Sequence, residues 1–138
     1  MNIIDVIDRL KTRIGVEGPA VSATVEAGHV KRFVDAIGDP NPRWTTEVPP
    51  TFLVALAPTL LHLGDAEEFG QGWLNGGNRF EYFAPVLIGD RITATTHVAD
   101  VYDKMGATGE MLFIVFETEY VNQHGRTVAR VRGTAIRR

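Results

Sequence analysis

Pro49-Pro50-Thr51-Phe52-Leu53-Val54-Ala55-Leu56-Ala57-Pro58-Thr59-Leu60-Leu61-His62-Leu63-Gly64 is the stretch on which the fold turns. Prolines suit a first helical turn because no N–H is needed there, and a glycine is a natural left-handed stop. Between these ends, Phe52, Leu53, Val54, Leu56, Leu60, Leu61 and Leu63 leave almost no polar face. A helix that is apolar all round is a buried helix, and at about 1.5 Å per residue this one is too short to cross a bilayer. Pro58 removes one backbone hydrogen bond, so a kink or break is expected there. The remaining chain is expected to form a sheet around this rod.

A chain of 138 residues suits a single domain with a fair core. We therefore take residues 1–138 as one domain, with 1–20 as an N-terminal helix and lead-in. A net charge of −3 gives no reason to expect nucleic acid or a membrane surface as partner. The absence of cysteine excludes a disulfide framework, a thiolate nucleophile and cysteine metal ligation. Met1-Asn2-Ile3-Ile4-Asp5 lacks a basic region followed by an apolar run, so no secretory signal is read and a cytoplasmic location is expected.

Upstream of the central stretch, Ile3, Val6, Ile7, Leu10 and Ile14 recur at helical spacing, predicting an amphipathic helix over Asn2 to Ile14 closed by Gly15. Val21-Ser22-Ala23-Thr24-Val25 reads as a short strand. Val30, Phe33, Val34 and Ile37 predict a second helix capped by Gly38. Asp39-Pro40-Asn41-Pro42-Arg43-Trp44-Thr45-Thr46-Glu47-Val48 reads as a rigid loop, neither helix nor strand. Downstream the period changes to two. Trp73 to Phe83 is a strand interrupted by Gly76-Gly77, the mark of a bulge or a close backbone approach. Ile92, Ala94, Thr96 and Val98 form one alternating set, and Leu112, Ile114, Phe116, Thr118 and Tyr120 another. Asn122-Gln123-His124-Gly125 is a hairpin turn, and Thr127 to Ile136 the last strand. Strands in a run rather than alternating with helices point to α+β with an antiparallel sheet. The outer edge strand of such a sheet needs a partner, which makes a dimer through that edge the expected assembly.

Three segments in order, Gly38-Asp39-Pro40-Asn41-Pro42, Pro49-Pro50-Thr51-Phe52 and Leu74-Asn75-Gly76-Gly77-Asn78-Arg79-Phe80-Glu81-Tyr82-Phe83-Ala84-Pro85-Val86-Leu87-Ile88-Gly89-Asp90, resemble the MaoC-like (R)-specific hydratase/dehydratase family. The likeness is strongest to its fatty-acid-synthase-type N-terminal dehydratase domain, and runs from about Val21 to the C-terminus. It implies a hot dog fold, an antiparallel sheet around a central helix, paired into dimers. It also implies chemistry: Gly-Asp-x-Asn-Pro, an aliphatic residue and then His, with Asp and His holding the water that adds across a trans-2-enoyl thioester. Backbone N–H groups at the start of the central helix would polarise the thioester carbonyl, where enolate charge develops.

Carried over, Asp39 and Asn41 match the pattern, whereas Arg43 stands at the aliphatic position and Trp44 at the histidine position. An indole N–H only donates and cannot exchange a proton near neutral pH. Losing such a general acid–base group costs about 10²–10⁴ in rate. Asp39 is either a surviving catalytic acid or a carboxylate capping its own loop. Trp44 either lines an acyl pocket or serves as plug or interface anchor. Thr51, Phe52, Trp44, Gly76 and Gly77 are the expected substrate-binding positions.

His62 reads as a core histidine, His97 and His124 as exposed, and His29 as the start of a helix. None has companions at metal-ligand spacing, so no metal is expected, and no cofactor beyond the coenzyme A or carrier-protein thioester of the substrate. Arg130, Arg132, Arg137 and Arg138 read as a solvated face, with coenzyme A phosphates as the alternative. The function expected is that of a site-degenerate subunit supporting the acyl tunnel of a second hot dog chain with an intact Asp/His pair. The alternatives are a complete hydratase with a rearranged site using Asp39, or a hot dog thioesterase or acyl-CoA binder. The absence of a carboxylate on the central stretch before Asp65 weighs against a thioesterase.

Overall fold

The computed structural model describes residues 2–57 and 63–138. Helix α1 spans Ile3–Lys11, with the Asn2 side chain accepting from the Ile4 N–H as its cap. It is shorter than its periodicity suggested: Ile14 has left the helix and bridges to Val98. Ile3, Val6, Ile7 and Leu10 turn inward, each worth roughly 1.5–3 kcal/mol if fully withdrawn from water. Strand β1 is Val21–Thr24, and α2 is Ala27–Ile37, closed by Gly38 at φ 68°, a left-handed position that glycine takes without strain.

The central stretch differs from its reading. Its described part is a five-residue 3-10 helix, Phe52–Leu56, with Phe52, Leu53 and Leu56 buried but Val54 48% exposed. Helical backbone ends at Ala57, which is extended at φ −65°, ψ 142°. Ala57 precedes Pro58, whose ring disfavours helical backbone in the residue before it. The expected kink or break at Pro58, and the expected burial of Leu60, Leu61 and His62, fall outside the described residues. Gly64 opens the short helix α3, Gly64–Glu67, instead of closing one; its φ is not positive, so the left-handed stop is not used.

Four long strands follow: β2 Trp73–Tyr82, β3 Arg91–Gly106, β4 Gly109–Val121 and β5 Thr127–Arg137. They form one antiparallel sheet with β1, in the order β1-β3-β4-β5-β2. The alternation holds: Ile92, Ala94, Thr96 and Val98 are all buried on one face of β3. Two apolar clusters cover that face. One gathers α2, the 3-10 helix and the sheet around Ile92, Ala94 and Tyr120. The other gathers α1, Leu63, Ala66 and the sheet around Val98, Ile114 and Phe116. Between them runs the row Thr96, Thr118, Val131 and Phe80, aligned across four strands. Strand β2 is a sheet edge almost wholly exposed along its ten residues.

Candidate functional site

The loop before the central stretch is more structured than its prolines suggested. Residues Pro42–Thr45 form a 3-10 turn, because Asn41 caps it by accepting from the Arg43 N–H at 3.0 Å and Pro42 supplies a preset first position. Asp39 repeats the device one step earlier: its Oδ1 accepts from the Asn41 N–H at 3.0 Å. Its other oxygen accepts from the Trp44 indole, Nε1 to Oδ2 at 2.8 Å. Arg43 pairs with Glu47 and lies 5.9 Å from the Trp44 ring centroid. Asp39 and Trp44 are half-buried.

The carboxylate and the residue at the histidine position are thus in direct contact, but as acceptor and donor of one fixed bond. The indole cannot take a proton and return it, so the bond gives the Asp39 carboxylate no acid–base partner. Of the backbone N–H groups at the start of the 3-10 helix, that of Phe52 is held by the Pro49 carbonyl at 3.0 Å. The Phe52 side chain is fully buried, edge-on to His29 at 4.9 Å and to Phe33 at 5.5 Å. Thr51 is exposed and makes no side-chain cap.

A separate cleft of about 790 Å³ opens where the two apolar clusters part. Its walls include Val54, Ala57 and Leu63 on one side and Trp73 and Leu74 at the sheet edge on the other. Thr96, Thr118 and Tyr120 contribute from the sheet. Neither Asp39, Asn41, Trp44, Thr51 nor Phe52 is among its described walls. Gly76 and Gly77 form the expected bulge, between Asn75 and Gly77, with Asn75 Oδ1 accepting from the Gly77 N–H at 2.9 Å. Asn75 and Asn78, on either side of these glycines, line the cleft. The bulge therefore shapes the wall without being the wall.

Threonines and a tyrosine at inward positions of otherwise apolar alternation, Thr96, Thr118 and Tyr120, are the sequence signal for the cleft floor, and they lie outside the expected substrate-binding positions. The basic run also divides. Arg130 and Arg132 face Glu117 at 3.6 and 3.4 Å. Arg137 is not on a solvated face: it is buried and donates to the carbonyls of Phe69, Glu67 and Gly70. A guanidinium at a strand end can be withdrawn from water when main-chain acceptors meet its fork.

A five-stranded antiparallel sheet of this order, with its apolar face divided by a cleft, is a hot dog fold. The chain belongs to the FAS1-like, dehydratase domain region family, whose model matches residues 12–131. Among curated proteins it is 30% identical to a UPF0336 protein of Streptomyces avermitilis, in a match covering 56% of this chain and 62% of that relative. The chain therefore spans less than two thirds of that relative's length. Among solved structures it is similar to the ChsH1-ChsH2 complex from Mycobacterium tuberculosis, with a TM-score of 0.80 at 18% identity over 98% of this chain and 95% of that one. It is also similar to the C-terminally truncated HadBC (3R-hydroxyacyl-ACP dehydratase) complex from the same organism. There the TM-score is 0.68 at 18% identity, over 90% of this chain and 98% of that one. No helix among the described residues is long and apolar enough to cross a membrane.

Proposed function

We propose that this chain is the site-degenerate subunit of a heteromeric enoyl-thioester hydratase or 3-hydroxyacyl-thioester dehydratase. The observation that carries the reading is the 2.8 Å bond from the Trp44 indole to Asp39, which fixes the carboxylate where a proton-shuttling pair would stand. A second hot dog chain with intact Asp and His would hold the water that adds across the double bond, or leaves in the reverse reaction. This chain would supply acyl space and complete the assembly. The cleft has the volume of a ligand pocket, and it borders the free edge of the sheet. Trp73, Leu74, Tyr82 and Phe83 on and just beyond β2 are each more than 40% exposed, so a partner strand docked there would cover apolar surface and close the cleft's outer wall. Two of the similar solved structures are themselves named as complexes, which favours the heteromeric reading.

The test is co-expression with a hot dog chain carrying Asp-x-Asn-Pro-x-His, followed by hydration of crotonyl-CoA and longer 2-enoyl-CoA substrates. The isolated chain is expected to be slower than the complex by about 10²–10⁴, the size of a general acid–base contribution. A stable homodimer that hydrates these substrates unaided, and loses activity on Asp39→Asn, would overturn the reading in favour of a self-sufficient enzyme.

A further inference from the structure

The cleft floor holds a polar group that no described residue uses. Tyr120 is 1% exposed, yet its hydroxyl makes no hydrogen bond to any described residue. It is not sealed in. Among the described residues no buried side-chain N or O atom is both shut away and without a partner, and Tyr120 is one of the walls of the cleft. Two positions back along β4, on the same face, Thr118 meets Thr96 of β3 hydroxyl to hydroxyl at 2.7 Å, and both also line the cleft. One hydrogen of that pair is committed to the pair itself, which leaves the other to turn toward a ligand.

The cleft walls also include the apolar Val54, Ala57, Leu63, Phe116 and Val131. Glu67, Asn75, Asn78 and Thr134 are polar members of the same walls. Burial, and to a lesser degree the neighbouring Tyr82, pushes the Tyr120 phenol up to about 12, so it remains a neutral donor at any physiological pH. Tyr82 lies in the same cross-strand row, joined through Ala129.

We infer that Tyr120, with Thr96 and Thr118 beside it, forms a hydrogen-bonding subsite for an oxygen atom carried on the acyl chain beyond the reacting C2 and C3, so that the cleft selects acyl thioesters bearing a keto or hydroxyl group further along the chain. This rests on the cleft being the acyl space of the proposed function. A plain methylene chain drawn past an open phenol strips its hydration and returns nothing, and a buried donor left unmade is the costly case. A ligand oxygen at that point restores the bond. The selection is therefore two-sided, with a penalty on the saturated chain and a gain on the oxygenated one.

Calorimetric titration of the purified protein, together with its partner chain if one co-purifies, tests this with decanoyl-CoA and a series of mono-oxo decanoyl-CoA isomers oxygenated beyond C3. At least one isomer is expected to bind roughly 3- to 10-fold tighter than decanoyl-CoA, the equivalent of one neutral hydrogen bond. Tyr120→Phe is expected to bring that ratio to about one without lowering Tm, because the hydroxyl has no described partner to lose. An unchanged ratio in Tyr120→Phe, no preference in the unaltered protein, or a clear fall in Tm that marks the phenol as structural would each overturn the subsite. Binding of decanoyl-CoA without any oxo preference defeats the subsite alone. Failure of every acyl-CoA to bind defeats the acyl-cleft reading as well.

Discussion

The Asp39–Glu47 loop and the floor of the cleft are both places where polar groups sit against apolar surface, and they treat those groups in opposite ways. In the loop, both Asp39 oxygens, the Asn41 carbonyl oxygen, the Trp44 indole and the Arg43 head all have partners within nine residues of one another. On the floor, the Thr96–Thr118 pair is only partly satisfied and the Tyr120 hydroxyl has no described partner. A network closed on itself holds shape, whereas chemistry and recognition need groups whose bonding capacity is still open. The contrast is between a loop whose polar groups are already spent on one another and a cleft floor whose hydroxyls still have bonding capacity.

The strongest way to break this contrast is Phe52→Ala. Phe52 is fully buried in the core cluster that also holds Tyr120, edge-on to His29 and Phe33. Truncating it is expected to cost about 3–5 kcal/mol, read as a fall in the midpoint of urea unfolding. If it were instead a wall of the acyl space, stability would hold and acyl-CoA affinity would change. That result would return the segment to the site.

Asp39→Ala comes next. It removes the acceptor for the Asn41 N–H and for the Trp44 indole, and is expected to cost about 1–2 kcal/mol because the carboxylate is only half-buried. A double-mutant cycle with Trp44→Phe, which keeps the ring but loses the donor, should show a coupling of about 1 kcal/mol. Additive losses would mean that the 2.8 Å contact contributes nothing, and with it would go the observation that carries the proposed function.

Most of the fold could be read from the sequence because its signals are local. Period-two alternation in Ile92 to Val98 placed four side chains on the buried face, Gly38 marked a left-handed cap, and Gly76-Gly77 marked a bulge. The central stretch misled because hydrophobicity alone does not choose between helix types. The Ala57-Pro58 step decided where helical backbone stopped, and Val54 was left facing the cleft. Arg137 was misread for a different reason: the three carbonyls that hold it come from Glu67, Phe69 and Gly70, about seventy residues earlier in the chain. The site divides in the same way. The Trp44 substitution is visible in the sequence, but that its indole reaches Asp39, and that Tyr120 lacks a partner, depends on geometry that no spacing encodes.

The effect that is smallest at neutral pH sharpens the other half of the contrast, through its growth with pH. Tyr120 has an ordinary phenol value near 10 when unfolded and about 12 when folded, chiefly because burial disfavours the phenolate. The folded state therefore keeps its proton where the unfolded chain has begun to lose it. This contribution is fully present below pH 10 and is lost as pH rises through the interval from about 10 to about 12. Phenol and ammonium groups in general titrate in this range, so the quantity to measure is the difference between the protein and Tyr120→Phe in urea midpoint across it. The unaltered protein should lose stability relative to the variant as pH rises. Parallel curves would mean that the phenol is hydrated much as in water. A hydroxyl so well solvated would gain little from a ligand oxygen, and the floor of the cleft would then have no more to offer a substrate than the closed loop does.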